Sequence, residues 1–294
     1  MSEIYEPIEF FPLKPAIEET VLYDRDQIRI VAKEINYSEY EAEVHLVIEN
    51  RTSDTLWFTS NANAFGYKCN SINGYMFSFG DLDEYVGAGY SFEMTASIYG
   101  AELFEYGITD IADMELSFRI IDEEDEEILT GPCAIRTSIA DTYDYSGISF
   151  ANGMSDPRAE EEYGYCVVGT VDARIYDMLD LIVDSVILLE SPDNKTLIAL
   201  EATNNSSERR SLAIENVVVN GTAAPSHIRT SESINPGKKA VLFFSVDFFL
   251  DGLDDSIRNE KGIDAISSIS FDLTQTNIKC TPSTVTLGLA PDEE

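Results

Sequence analysis

The densest group of chemically competent side chains is the run Asp122-Glu-Glu-Asp-Glu-Glu127. Hard cations take clustered oxygen ligands, so Asp122, Glu124 and Asp125 are the candidate calcium ligands. Their spacing matches no EF-hand loop, and the run has no central glycine. The run also follows one alternating segment and precedes another, which predicts a solvated hairpin tip. Like charges at such a tip discourage sheet-to-sheet association. Asp81, Asp83 and Glu84 form a smaller acidic group. A glycosidase needs two carboxylates in one cleft, and spacing along the chain places no such pair.

The remaining reactive side chains are sparse. The histidines are His45 and His227. His45 lies in an alternating strand near Glu43 and Glu49, so it is expected to face solvent, as is His227 beside a proline. Neither has a cysteine or histidine at zinc-site spacing. No Gly-x-Ser-x-Gly elbow or phosphate-binding glycine loop occurs. No catalytic residue, metal centre or cofactor is therefore expected. The cysteines are Cys69, Cys133, Cys166 and Cys280, and none forms a Cys-x-x-Cys. One bridge per domain, Cys69–Cys133 and Cys166–Cys280, is one of three possible pairings; free buried thiols are the other reading. Trp57 is expected in a core. Tyr143, Tyr145, Tyr163 and Tyr165 read either as packing onto the second half of the chain or as a surface for a glycan or a protein.

These residues are positioned by an internal repeat. Tyr23–Asp24 recurs as Tyr176–Asp177, Asn50-Arg-Thr-Ser as Asn204-Asn-Ser-Ser, and Asn73–Gly74 as Asn220–Gly221. Gly89 matches Gly237, Gly107 matches Gly262, Ser117–Phe118 matches Ser270–Phe271, and Cys133 matches Cys280. The order never changes, and the offsets stay between 147 and 155. Within each copy the apolar period is two. Ala42, Val44, Leu46 and Ile48 alternate with Glu43, His45, Val47 and Glu49; Tyr90 to Ala96 and Leu116, Phe118, Ile120 do the same. In the second copy Leu242, Phe244 and Val246 alternate in a segment whose other face is also apolar. With Asn–Gly and Pro–Gly turns between them, these read as antiparallel strands of a two-sheet sandwich. One short crossover helix per copy is expected, within Tyr99–Tyr106 and Phe248–Arg258. The predicted organisation is an arm at 1–21, a first sandwich at 22–138, a partly structured connector at 139–174 and a second sandwich at 175–294. Within the connector, Tyr163 to Val171 reads as a strand joining the second sandwich.

Charge narrows the partners. The chain carries 19 basic and 54 acidic side chains, net −35. Nucleic-acid binders need lysine and arginine to displace condensed counterions, so none is expected here. Acidic mimicry of DNA falls short on average: surface scaling spreads the charge over ~350 Å² each, against ~110 Å² on a duplex. The most apolar stretch, Val241 to Leu250, is interrupted by Asp247. It is too short to span a bilayer, so no membrane insertion is expected. Met1 to Glu19 has no basic or apolar leader region.

Leu22-Tyr23-Asp24, the Ile-Arg-Ile-Val-Ala-Lys strand at 28–33, Ile48-Glu49-Asn50, Asn73-Gly74-Tyr75, Gly107-Ile108 and Ser117-Phe118-Arg119-Ile120 together resemble a recurring module. It is the immunoglobulin-like module of uncharacterised Gram-positive cell-envelope proteins. The second copy keeps the Asn–Gly, the Pro-Gly-Lys-Lys turn at 236–239 and Gly262–Ile263, and departs near Asp254 to Lys261. The resemblance implies two tandem immunoglobulin-like β-sandwiches in an all-β protein and a location in the envelope or outside the cell; it carries over no catalytic residues. The expected function is a non-catalytic binding or structural module. The alternatives are a cytosolic acidic protein-binding or inhibitor protein of the same fold, then a carbohydrate-active enzyme.

Like charges repel more on a compact body than on an expanded chain. Raising ionic strength from 0.01 M to 0.1 M shortens the screening length from ~30 Å to ~10 Å. The melting temperature should therefore rise over that interval. A fall would mean that local ion pairs outweigh net repulsion.

Overall fold

Alternation with period two puts every second side chain on one face of a strand, and the longest segments obey it. A computed structural model describes residues 7–59, 70–78, 83–171, 173–191, 196–223, 230–245, 268–275 and 283–288. The fold is all-β, with several antiparallel sheets and few, short helices. The chain divides into two units, Met1–Tyr163 and Gly164–Glu294.

The first unit runs β1 (Thr20–Arg25), β2 (Ile28–Tyr37), β3 (Glu41–Asn50), β4 (Leu56–Thr59), β5 (Asn70–Ile72), β6 (Tyr75–Phe77), β7 (Asp83–Val86) and β8 (Ser91–Tyr99). Helix α1 (Gly100–Phe104) follows, then β9 (Asp113–Leu116), β10 (Arg119–Ile121), β11 (Glu127–Leu129) and β12 (Cys133–Arg136). Helix α1 lies within the segment read as a crossover helix. Three antiparallel sheets result, ordered β1-β2-β3-β8, β11-β10-β4-β7 and β12-β9-β5-β6. In β3, Ala42, Val44, Leu46 and Ile48 are buried while the residues between them are half-buried. Fully burying such a row of side chains contributes roughly 1.5–3 kcal/mol for each Val, Leu or Ile.

One expected strand is broken. Leu116 and Ile120 belong to different sheets, because Ser117 and Phe118 leave the ladder between them. The Ser117 amide donates to Asn70 Oδ1 at 2.9 Å, and the Phe118 amide to Thr130 Oγ1 at 2.8 Å. Side-chain acceptors replace the strand partners, so both amides stay satisfied while buried.

The arm and the connector both pack onto this unit. Phe11 is fully buried and its amide donates to Thr109 O; the Leu13 amide donates to Asp110 Oδ1 at 2.9 Å, and Tyr37 donates to Pro15 O. The connector holds a 3₁₀ turn at Tyr145–Gly147, α2 (Phe150–Met154) and α3 (Pro157–Tyr163). Gly153 is required at its position: a Cβ there would lie 2.2 Å from Glu105 O.

The second unit runs β13 (Cys166–Val171), β14 (Tyr176–Met178), β15 (Leu181–Glu190), β16 (Thr196–Asn204), β17 (Arg210–Val219) and β18 (Thr222–Ala223). It continues with β19 (Thr230–Ile234), β20 (Lys239–Ser245), β21 (Ser268–Gln275) and β22 (Ser283–Gly288). One layer is β13-β15-β16-β20, with β14 also on β15; the other is β18-β17-β21-β22, with β19 also on β17. Strand β13 covers most of the segment read as a strand joining the second sandwich. In β20, Val241 and Leu242 are both buried, as their two-sided apolar character predicts. The expected helix at Phe248–Arg258, the insertion near Asp254 to Lys261 and Gly262 lie outside the described residues.

Each unit contains a buried asparagine at the end of a long strand. Asn50, 1% exposed, donates through Nδ2 to Asp54 O and Val86 O, both at 2.8 Å. Its Oδ1 accepts from the Thr52 amide at 3.0 Å and the Thr52 hydroxyl at 2.7 Å. Asn204, 0% exposed, donates to Glu208 O and Ile234 O at 2.8 Å, and accepts from the Ser206 amide and hydroxyl at 3.0 and 2.7 Å. The Asn–Gly pairs are also alike. Asn73–Gly74 joins β5 to β6 with φ of 45° and 89°, and Asn220–Gly221 joins β17 to β18 with φ of 47° and 79°. Two positive φ values in a two-residue loop make a type I′ turn, which suits the twist of paired strands.

Removing the Asn50 or Asn204 side chain leaves several buried backbone groups without partners. Asn50→Ala and Asn204→Ala should each cost at least about 2 kcal/mol, read as a lower urea midpoint at unchanged slope. Asn50→Asp should be no milder, because an oxygen would then face two carbonyl oxygens.

Candidate functional site

Strand β4 places Leu56 and Phe58 inward, at 3% and 0% exposure, so Trp57 between them must face the other way. The expectation of a core tryptophan is corrected: Trp57 is half-buried on the outer face. Its cross-strand neighbours are Tyr85 on β7 and Ile121 on β10. The Trp57 and Tyr85 rings lie 5.9 Å apart at 13°, an offset stack. Tyr85 is 66% exposed. Offset stacking leaves part of each ring face open. The indole Nε1 donates to Asp83 Oδ1 at 2.5 Å. That carboxylate fixes the indole plane and adds electron density to the ring.

The acidic run supplies further lining beside the aromatic pair. It is the tip of the β10–β11 hairpin. Asp122 Oδ1 accepts from the amides of Glu124 and Glu126, both at 2.9 Å, and Asp125 adopts φ 63°. Glu123 reaches back to accept from the Thr55 amide at 3.2 Å. At the base of the hairpin Arg119 pairs with Glu127, which holds the Glu127 carboxyl below its ordinary range. Trp57, Tyr85, Asp122, Glu123 and Asp125 are among the residues that line an open cleft of about 390 Å³. The arrangement can stack a ring on an open aromatic face and accept hydrogen bonds or positive charge at the acidic lining.

Other sequence candidates fall elsewhere. Asp122, Glu124 and Asp125 do not converge as calcium ligands: no group of three or more metal-ligating side chains exists among the described residues. The reason is local, since Asp122 is committed to the turn amides. Asp81 lies outside the described residues. His45 sits on the half-buried outer face of β3 and bonds Asn36 at 3.0 Å; His227 lies outside the described residues. Cys133 and Cys166 are free thiols, and burial pushes the Cys133 thiol up. Cys69 and Cys280 lie outside the described residues; with Cys133 and Cys166 free, neither considered bridge, Cys69–Cys133 or Cys166–Cys280, is formed.

Three of the four connector tyrosines make contacts inside the first unit, while Tyr165 belongs to the second. Tyr143 and Tyr145 meet edge to face at 5.0 Å, Tyr145 donates to Asp113 at 2.6 Å, and Tyr163 donates to Ala101 O, all within the first unit. Burial raises the hydroxyls of Tyr145 and Tyr163 well above the ordinary range. Sequence reasoning missed Tyr85. The period-two register of β4 shows that Trp57 opposes Leu56 and Phe58, but its neighbour comes from a strand 28 positions away, set only by pairing.

The chain matches no family model and no curated protein. Among solved structures it is similar to a protein of unknown function from Porphyromonas gingivalis W83, at 14% identity over 87% of this chain and 95% of that one, TM-score 0.21. It is also similar to chicken MD-1 complexed with lipid IVa, at 11% identity over 42% of this chain and 99% of that one, TM-score 0.19. A third similarity is to red sea bream transglutaminase, at 9% identity over 92% of this chain and 32% of that one, TM-score 0.21. Similarity at this level carries no functional argument.

If Asp122 serves the turn, Asp122→Ala should destabilise the protein by about 1–2 kcal/mol, and Asp122→Asn, which keeps the acceptor oxygen, by less. Millimolar calcium should leave the melting temperature unchanged. A ligand at 100 times its dissociation constant would add ~2.7 kcal/mol, so a rise of several degrees would restore the metal reading.

Proposed function

We propose that the protein is a non-catalytic binding protein built from two diverged copies of one immunoglobulin-like β-sandwich, and that the Trp57–Tyr85 cleft of the first copy is a carbohydrate-contact site. The single observation that carries the binding reading is a stacked aromatic pair, half-buried Trp57 and exposed Tyr85, that lines one open cleft together with three acidic side chains. A pyranose presents one apolar C–H face and a rim of hydroxyls. Ring stacking and peripheral hydrogen bonds match those two surfaces, as in most small-molecule sites.

Binding rather than catalysis is favoured because three of the four carboxylates at the cleft are already engaged, which leaves Asp125 without the second free carboxylate that glycoside hydrolysis needs. Asp83 holds the indole, Asp122 the turn amides and Glu123 the Thr55 amide. A general acid or base needs its proton-transfer oxygen free to reach substrate. The two-copy reading is supported by the matching asparagine networks at Asn50 and Asn204 and by the matching I′ turns. Display on the cell envelope, or release from the cell, completes the proposal and rests on the sequence resemblance.

Trp57 is the sole tryptophan of the chain, so its fluorescence reports on the cleft directly. Titration with soluble oligosaccharides should change its emission saturably. Tyr85→Ala keeps the reporter and should weaken binding at least fivefold, about 1 kcal/mol. If no oligosaccharide changes the emission and none is bound in calorimetry, the carbohydrate reading is wrong.

A further inference from the structure

We infer that the cleft selects a cationic sugar, a pyranose carrying a free amino group, over neutral and anionic ones. This rests on the reading of the cleft as a carbohydrate site. Three independent features point to positive charge on the ligand. Every charged side chain that lines the cleft among the described residues is acidic: Asp122, Glu123 and Asp125. Arg119, at the hairpin base, is held by Glu127 and is not among the residues that line the cleft. The Asp125 carboxylate is exposed, and its side chain has no hydrogen-bond partner among the described residues.

The aromatic wall acts in the same direction. A ring face carries negative potential and attracts cations, and the Asp83 carboxylate on the indole N–H strengthens that potential. An ammonium group on a stacked pyranose would therefore meet negative charge from the ring and from the acidic lining. An anionic sugar would meet the same walls with the wrong sign, inside a chain of net charge −35. A neutral sugar gains only the stacking and the hydrogen bonds.

A flat aromatic pair also separates a sugar from a basic peptide. Cages that capture a lone alkylammonium surround it with several rings. Here the two rings stack on each other and form no cage, so an alkylammonium gains at most a single ring-face contact, whereas a pyranose adds the stacking of its C–H face.

The test uses the intact chain, with Trp57 fluorescence and calorimetry as readouts. Four probes of equal length are compared at low salt and slightly acidic pH: a glucosamine tetramer, its fully N-acetylated counterpart, a neutral glucose tetramer and tetralysine. The expected result is that the glucosamine tetramer binds at least tenfold tighter than each of the others. Asp125→Asn, which removes the charge and keeps an acceptor oxygen at the same lining position, should erase most of that advantage and change the binding of the neutral tetramer by less than twofold. Tyr85→Ala should weaken both sugars. If the acetylated and free amines bind equally, charge selection is overturned while the sugar site stands. If tetralysine binds as tightly as the amino sugar, or Tyr85→Ala has no effect on it, the affinity is bulk electrostatics and the inference is overturned. If no sugar binds, both the inference and the carbohydrate reading fall.

Discussion

The structure depends on buried asparagines that tie a strand end to two other segments. A primary amide offers two donors and an acceptor in one plane, and Asn50 uses them on Asp54, Val86 and Thr52. These backbone groups would otherwise be buried where two chain segments leave the sheet, and an unpaired group there costs as much as a lost hydrogen bond or more. Asn204 does the same for Glu208, Ile234 and Ser206. Neither glutamine, one carbon too long, nor aspartate, which lacks the donors, reproduces this geometry.

The candidate site inherits its register from that bond set. One Nδ2 holds the carbonyl of Asp54, just before β4, and that of Val86, the last residue of β7. Leu56 thereby faces Val86, and the next pair along is Trp57 and Tyr85. A slip of one residue would turn Trp57 inward and replace Tyr85 with Glu84 or Val86 as neighbour, because strand faces alternate strictly. The aromatic pair is thus a consequence of a buried polar contact a few residues away. Asp83 follows two residues before Tyr85 on the same face, which is why its carboxylate reaches the indole.

Charge is the second constraint. With acids far outnumbering bases, individual guanidiniums are shared. Arg29 faces Asp24 and Glu49, and Arg51 pairs with the same two carboxylates. Hydrogen bonds from Arg51 and Arg29 hold the Glu49 carboxyl below its ordinary range. Acids without such a partner are used as backbone caps or are left to solvent at hairpin tips. The 122–127 hairpin does both, with Asp122 capping and Asp125 exposed, and this concentrates uncompensated negative charge beside the aromatic pair.

Much of the local structure was legible in the residues alone. The alternation of Ala42 to Ile48, the Asn73–Gly74 and Asn220–Gly221 turns and the hairpin at 122–127 all appear where sequence places them, because strand period and positive-φ turn preference act over a few neighbouring residues. The break between Leu116 and Arg119 was not legible, since it requires Asn70 and Thr130 to supply acceptors from elsewhere in the chain. Nor was the attachment of the connector tyrosines to the first unit, which depends on where Asp113 and Ala101 lie. By itself the sequence determined the long alternating strands, the Asn–Gly turns and the excess of negative charge. Only the tertiary structure decided that Trp57, Tyr85 and the acidic hairpin would line one cleft, because strand pairing is long-range and each of these groups comes from a different strand or loop.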